Sequence, residues 1–205
     1  MSDIQGTDDW RIARLGKVTA SRVADVMATT KNGEAATRKN YIMELLCERL
    51  TGQSAEGFTS AAMQRGIELE PMARTEYEIQ NGLLVSETGL VDHPTITMFA
   101  ASPDGLINND GLIEIKCPNT AQHVDFLLTG TIPPRYVWQM TAQMECTGRA
   151  WCDYVSYDDR MPAHLMLQVK RLHIGDTQVK LMVDTVRQFL DQLSDLEHQL
   201  RNIHE

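Results

Sequence analysis

Residues 101–118 read ASPDGLINNDGLIEIKCP, and the fold turns on this stretch. Asn108, Asn109, Asp110 and Gly111 stand between two short apolar runs, a strong signal for a tight β-hairpin. Side chains alternate along a strand, so Glu114 and Lys116 share one face while Ile113 and Ile115 share the other. Folding back at the turn sets Asp104 level with Glu114 or Ile115. Two acids and a lysine in a buried hairpin cost several kcal/mol or more unless partners offset them. A metal ion is one candidate partner.

Hard oxygen donors of this kind suit Mg²⁺, which takes one or two protein carboxylates, keeps several waters and leaves room for phosphate oxygens. Asp104 and Glu114 are the candidate ligands, and the backbone carbonyl of Ile115 could add a third. Two ions about 4 Å apart can stabilise both the attacking and the leaving oxygen of an in-line phosphodiester displacement. Lys116 would orient or deprotonate the attacking water, with a pKa lowered by the cations beside it. Glu-x-Lys by itself also fits a solvated hairpin face with a surface ion pair worth under about 1 kcal/mol. The preceding Ser-Pro-Asp-Gly, the ten-residue step from Asp104 to Glu114 and the apolar flanks favour the hydrolytic site.

On the N-terminal side the chain reads helical. In residues 37–50, TRKNYIMELLCERL, Tyr41, Leu45, Leu46 and Leu50 recur at helical spacing, and Gly52 is placed to cap the C-terminus. Residues 60–81 form a second helical region, expected to bend or break before Pro71 and to end at Gly82. From Leu83 onward the runs LLVSE, ITMFAAS and LIEIK predict a mixed or antiparallel sheet. Helical patterns return at 120–128 and 135–146, followed by strand-like runs at 150–157 and 165–174. From Asp176 onward, Val179, Val183, Val186, Leu190, Leu193, Leu196, Leu200 and Ile203 line one stripe of a C-terminal helix expected over 175–205, packing on its own domain.

Length and composition bound the function. The 205 residues suit one substantial domain, 1–205, with 42% hydrophobic and 23% charged residues. No apolar run approaches the ~20 residues of a membrane span, and the N-terminus, MSDIQGTDDW, lacks the basic start and apolar core of a secretory signal, so the cytoplasm is expected. Cys47, Cys117, Cys146 and Cys152 stand far apart without a CxxC pair, which predicts reduced thiols and no zinc ribbon; no HExxH occurs among the six histidines. The net charge of −9 repels phosphate at long range, so DNA would need a locally basic channel.

The order Asp104, then Glu114-x-Lys116, resembles the PD-(D/E)xK nuclease superfamily, and SPDGL…LIEIKCP resembles the lambda-type phage exonucleases more narrowly. WRIARLGKVTAS at 10–21 is similar to that family's W-x3-R-L-G-x-x-T-A-S, RGIELE at 65–70 to its G-x3-E helix, and AWCDYVSYDDRM at 150–161 to its A-W…Y-D-P-R-M strand, with Asp159 where the pattern has proline. The likeness runs from Trp10 to about Val169. It implies an α/β (α+β) restriction-endonuclease-like fold, a central mixed β-sheet flanked by helices, in a single domain. The implied activity is a two-metal, Mg²⁺-dependent 5′→3′ exonuclease, with Mn²⁺ as a substitute, that releases 5′-mononucleotides from duplex ends bearing a 5′-phosphate and leaves 3′ single strands.

Residue by residue, the resemblance places Arg14 and Ser21 on the 5′-phosphate, which suits a guanidinium fork and a hydroxyl near a helix N-terminus. It places Glu70 beside the metal site and Gln139 near the scissile phosphate. Met63 takes the position of a wedge that parts the terminal base pair, although methionine at helical spacing is commonly core, and Lys31 matches a basic DNA-contacting position approximately. The resemblance also implies a ring-shaped homotrimer, a single-strand annealing protein as partner, and a phage or prophage gene acting in the bacterial cytoplasm. The other readings are a PD-(D/E)xK endonuclease of restriction or repair type, an iron–sulfur nuclease using the four cysteines, and an end-binding module without catalysis.

Overall fold

The computed structural model describes residues 5–31, 33–54 and 60–203; the expectations for the first four and last two residues lie outside the described residues. The chain runs α1 (Asp8–Arg14), β1 (Val18–Thr19), a 3₁₀ turn at Ala20–Arg22, α2 (Val23–Val26), β2 (Thr29–Thr30), β3 (Gly33–Glu34), α3 (Ala36–Thr51) and α4 (Ala61–Asn81). It continues through β4 (Val85–Ser86), β5 (Val91–Asp92), β6 (Phe99–Ala101), β7 (Gly105–Ile107), β8 (Gly111–Lys116), α5 (Thr120–Thr129), α6 (Pro134–Thr147), β9 (Trp151–Tyr157), β10 (Leu167–Leu172) and α7 (Asp176–Arg201).

The central sheet has the order β10-β9-β8-β7-β4 and is mixed: β8 and β9 pair in parallel, and every other pair is antiparallel. Strand β8 is thus an inner strand, which explains why LIEIK is buried along almost its whole length. The hairpin forms as expected, with Gly105 opposite Ile113 and Ile107 opposite Gly111. Its turn glycine has a different job from the one expected. Asn108 takes the positive φ of 47°, and Gly111 lies in the strand, where an added Cβ would stand 2.1 Å from the Trp151 ring. Arg149 gathers the turn, its Nη1 donating to the carbonyls of Ile107, Asn108 and Gly111 at 3.1, 3.0 and 2.7 Å.

Helices cover both faces of this sheet. From α4, Leu69, Ala73 and Tyr77 pack on Ile113 and Ile115, while α5 and α6 cover Leu112, Cys152 and Tyr154 with Phe126, Met140 and Met144. A separate core joins α2, α3 and α7 to the reverse side of α6 through Val23, Tyr41, Leu45, Ala142, Val186 and Phe189. Burial on two sides makes α6 a central element, and both Gln139 and Gln143 are drawn inside with it.

Three expectations are corrected. Helix α4 continues through Pro71 without a break, because Pro71 lies on the solvent face and Ser60 caps the helix by accepting from Met63 N at 3.2 Å. The N-terminal third is not helical throughout: β1 pairs in parallel with β6, so ITMFAAS contributes to a three-stranded β1-β6-β5 sheet instead of the central one. On α7 the buried stripe includes Met182 and Phe189, while Leu200 and Ile203 are exposed; the helix ends at Arg201. No described helix is long and apolar enough to cross a membrane.

Candidate active site

Register brings the hairpin acids together. Because Gly105 opposes Ile113, Asp104 falls level with Glu114, and its Oδ2 accepts from the backbone N–H of Ile115 at 2.7 Å. Glu114 has no solvent exposure. Its Oε1 is ion-paired with Lys116 Nζ and accepts from Gln139 Nε2 at 2.6 Å, and its Oε2 accepts from Gln143 Nε2 at 2.5 Å. Gln139 and Gln143 lie one turn apart on α6, a spacing that aims both amides at one carboxylate. The buried charge is therefore compensated by an ammonium and two amide donors, the condition under which burial is tolerated. Among the described residues, Gln143 Oε1 is buried without a partner, as is Arg74 Nε on helix α4.

Glu70 arrives from α4 on the other layer. Arg74, one turn along, donates to Glu70 Oε1 at 2.8 Å and to the Asp104 carbonyl at 3.2 Å, tying the helix to the hairpin, and it also pairs with Glu87. Burial, then the charge of Glu114, pushes the Asp104 pKa well above the ordinary carboxylate range; burial also raises Glu70, against the pull of Arg74. For Lys116, burial opposes the charge, yet Glu114 and Asp104 outweigh it and hold the pKa above that of free lysine. The protein's own charges thus keep this ammonium protonated. The lowering expected for a water-activating lysine requires the added positive charge of bound cations.

The donor set fits a hard divalent cation. Asp104 and Glu114 are crowded acids whose repulsion a cation would relieve, and the backbone of Ile115 is held against Asp104 through its N–H. No trio of His, Cys, Asp or Glu among the described residues makes a finished metal cluster, so carbonyl and water would complete the shell. The four cysteines are free, with Cys47 exposed and Cys146 and Cys152 buried, which provides no cysteine cluster for an iron–sulfur centre.

A second polar group forms near the N-terminus. Arg14 stacks over the Trp10 ring at 4.1 Å and its Nη2 lies 3.5 Å from Thr19 Oγ1, which is 3.4 Å from Ser21 Oγ. Burial lowers the Arg14 pKa, and no carboxylate among the described residues stands within ion-pair distance of it. Ser21 is exposed on the 3₁₀ turn that leads into short α2, not on a long helix terminus. Trp10 Nε1 donates to Ser102 Oγ at 2.9 Å, two residues before Asp104, so the arginine cluster is anchored to the hairpin.

The structure brings Asp104, Glu114, Ile115, Lys116, Glu70 and Gln139 into one cluster and Arg14 and Ser21 into another. Met63 is 57% exposed on the first turn of α4, which removes it from the core. Lys31 is exposed beside the β2–β3 hairpin, with no contact joining it to either cluster. Sequence reading missed Gln143, whose only signal is its place four residues after Gln139, and it gave no role to Trp10, Thr19 or Ser102.

A model of the YqaJ-like viral recombinase domain matches residues 9–150. The alkaline exonuclease LHK-Exo of Laribacter hongkongensis, of which one crystal structure holds dAMP, is 52% identical; it superposes with a TM-score of 0.89 over 95% of this chain and 96% of that one. A phage-related exonuclease of Haemophilus somnus 129PT shares the fold at a TM-score of 0.69 and 15% identity, over 92% of this chain and 96% of that one. No protein with a curated description matches. On the hairpin, the helical layers and these likenesses, the chain belongs to the YqaJ-like viral recombinase family of lambda-type phage exonucleases.

Proposed function

We propose that the protein is a Mg²⁺-dependent 5′→3′ exonuclease that enters duplex DNA at an end, anchors the 5′-phosphate and releases 5′-mononucleotides, leaving a 3′ single strand. The observation that carries this reading is the buried Glu114, held on both oxygens and set level with Asp104 and Lys116. Such rigid placement of acids suits transition-state charge more than stability. The dAMP in LHK-Exo is a nucleotide of the class this reaction would release and supports the same reading.

Asp104, Glu114 and the Ile115 carbonyl would hold the metal, which when bound supplies charge for a developing phosphorane and an activated water. Lys116 Nζ, beside Glu114, orients the attacking water and takes or returns its proton at the nitrogen. Gln139 and Gln143 fix the Glu114 carboxylate so that its lone pairs keep one direction through the reaction. Arg14, Thr19 and Ser21 grip the terminal phosphate and set the first phosphodiester against the hairpin. Exposed Met63 would part the terminal base pair, and Lys31 would touch the backbone. A homotrimeric ring with a basic channel would permit processive digestion despite the acidic total charge, and the product strand would pass to a single-strand annealing partner in the bacterial cytoplasm.

The test is release of acid-soluble 5′-mononucleotides from linear duplex in Mg²⁺. EDTA should abolish it, and Lys116→Ala should slow it by roughly 10²–10⁴-fold while leaving DNA binding close to wild type. Near-normal turnover of the variant would remove Lys116 from the chemistry.

A further inference from the structure

Helix α4 turns one charged stripe toward the edge of the central sheet. Glu70, Arg74 and Glu78 follow one another at four-residue steps, a spacing that stacks their side chains along one face. Glu78 Oε1 accepts from the backbone N–H of Val85 at 2.7 Å, which seats the helix on β4. Antiparallel pairing of Val85 with Ile107 and of Ser86 with Leu106 then carries Glu87 level with Gly105, the residue after Asp104. Arg74 stands where these pieces meet. Its Nη2 donates to Glu70 Oε1 at 2.8 Å and to the Asp104 carbonyl at 3.2 Å, and its Nη1 is ion-paired with Glu87.

The Arg74 side chain is 15% exposed, that of Glu70 29% and that of Glu87 68%, so one guanidinium is shared between an inner and an outer acid. Among the described residues, Arg74 is the one hydrogen-bond donor that reaches the Glu70 carboxylate, and its own Nε is buried without a partner, which leaves one donor unused in this arrangement. Glu70 also lies within electrostatic reach of Glu114, Lys116 and Glu87. The set holds four carboxylates, Asp104, Glu114, Glu70 and Glu87, against two cations, Lys116 and Arg74, and a divalent ion would close the difference. Lys116 serves Glu114, and Arg74 serves Glu70.

Resting on the metal-dependent reading above, we propose that Arg74 is the resident counter-ion of Glu70, released onto Glu87 when a divalent cation enters beside the hairpin, and that Arg74 and Glu87 together set the metal affinity of the site. A guanidinium and a metal ion compete for the same carboxylate charge, so the affinity depends on how well Arg74 is held elsewhere. Glu87 is the group that holds it. The exchange keeps the inner acids compensated in both states, and Arg74 and Glu87 act through Glu70 as positioning residues.

Titration with Mn²⁺ alone, without DNA, tests this: free Mn²⁺ is read by its EPR signal, and Asp104→Asn protein gives the background from other surface acids. Glu87→Gln should weaken the Asp104-dependent binding roughly 2- to 5-fold, the worth of one exposed ion pair. Arg74→Gln should strengthen it about fivefold or more by removing the competing charge. In the double variant the Glu87→Gln effect should vanish, which the loss of one exposed negative charge would not do by itself. Thermal melting reports that each variant is folded; should Arg74→Gln not fold, Glu87→Gln at the protein surface decides alone. Unchanged Mn²⁺ affinity in Glu87→Gln, weaker binding in folded Arg74→Gln, or an undiminished Glu87→Gln effect in the double variant would overturn the proposal. Wild-type binding no greater than that of Asp104→Asn would overturn the metal site itself, a result distinct from loss of the exchange.

Discussion

At the scale of single residues, the site is a problem in placing charge. Glu114 can be wholly buried because an ammonium and two amides meet it, and Arg14 is a partly buried cation stacked on the Trp10 ring and bonded to the Thr19 hydroxyl, with the Glu48 carboxylate near enough to attract it but not paired with it. An arginine left in that condition is ready for an external anion. Arg14→Ala is accordingly expected to remove the preference for 5′-phosphorylated over 5′-hydroxyl ends, lowering cleavage of phosphorylated ends by about tenfold or more, since charge-assisted hydrogen bonds are worth ~1.5–3 kcal/mol. Comparing kcat/KM on the two ends checks it; an unchanged ratio would place the phosphate pocket elsewhere. The spacing from Asp104 to Lys116 was legible in the chain because strand alternation and a tight turn fix it. Gln143 and Thr19 were not, because their partners lie 29 residues away in sequence for one and across a weak three-residue polar cluster for the other.

At the scale of elements, β8 and α6 do the positioning. Gly111 belongs to this level: the Trp151 ring occupies the space a Cβ would need, and both belong to backbone segments that cannot move apart without breaking the parallel β8–β9 ladder. Gly111→Ala should cost about 1–3 kcal/mol through overpacking, read as a lower urea midpoint, and should reduce activity by shifting Glu114; an unchanged midpoint would show that the ring swings away freely. The corner after β9 gives a pH prediction. Buried Asp158 accepts from Thr120 Oγ1 at 2.7 Å, from Arg160 Nε at 2.7 Å and from Arg65 Nη2 at 3.1 Å, joining α4, α5 and β9. Burial works against its charge, yet the bonds from Arg160 and Thr120 hold its pKa well below the ordinary carboxylate range. A folded pKa below the unfolded one stabilises the protein above the unfolded value, about 3.9, and that contribution fades as pH falls toward the folded value. Asp158→Asn should lower stability near neutrality by about 3 kcal/mol and flatten the acid limb of a urea-midpoint profile; an identical limb would assign the acid sensitivity to other groups. Most helices and the β7–β8 hairpin were readable from periodicity, turn residues and helix-ending glycines such as Gly82. Two-residue strands like β1 carry no period to read, and their pairing with β6, some 80 residues away, comes from tertiary packing. Pro71 misled for a related reason: a proline on a solvated helix face loses one hydrogen bond without meeting a neighbour.

At the scale of the whole molecule, net charge and activity pull in opposite directions. A chain of charge −9 that acts on DNA needs its cations gathered; Lys116 and Arg135 meet at the ring of Tyr136, and Arg14 stands on Trp10, which is bonded to Ser102 just before the hairpin. The proposed ring of three copies would gather these cations around a duplex and would admit DNA through an end alone. The measurement that tests the end-anchored mechanism most directly is a side-by-side digestion, in Mg²⁺ and in EDTA, of linear duplexes with 5′-phosphate or 5′-hydroxyl ends and of a covalently closed circle. Loss of the 5′-phosphorylated linear strand in Mg²⁺, with the 5′-hydroxyl duplex degraded more slowly and the circle intact, is the predicted result. Cleavage of the circle at a comparable rate would contradict it and assign the hairpin to an endonuclease.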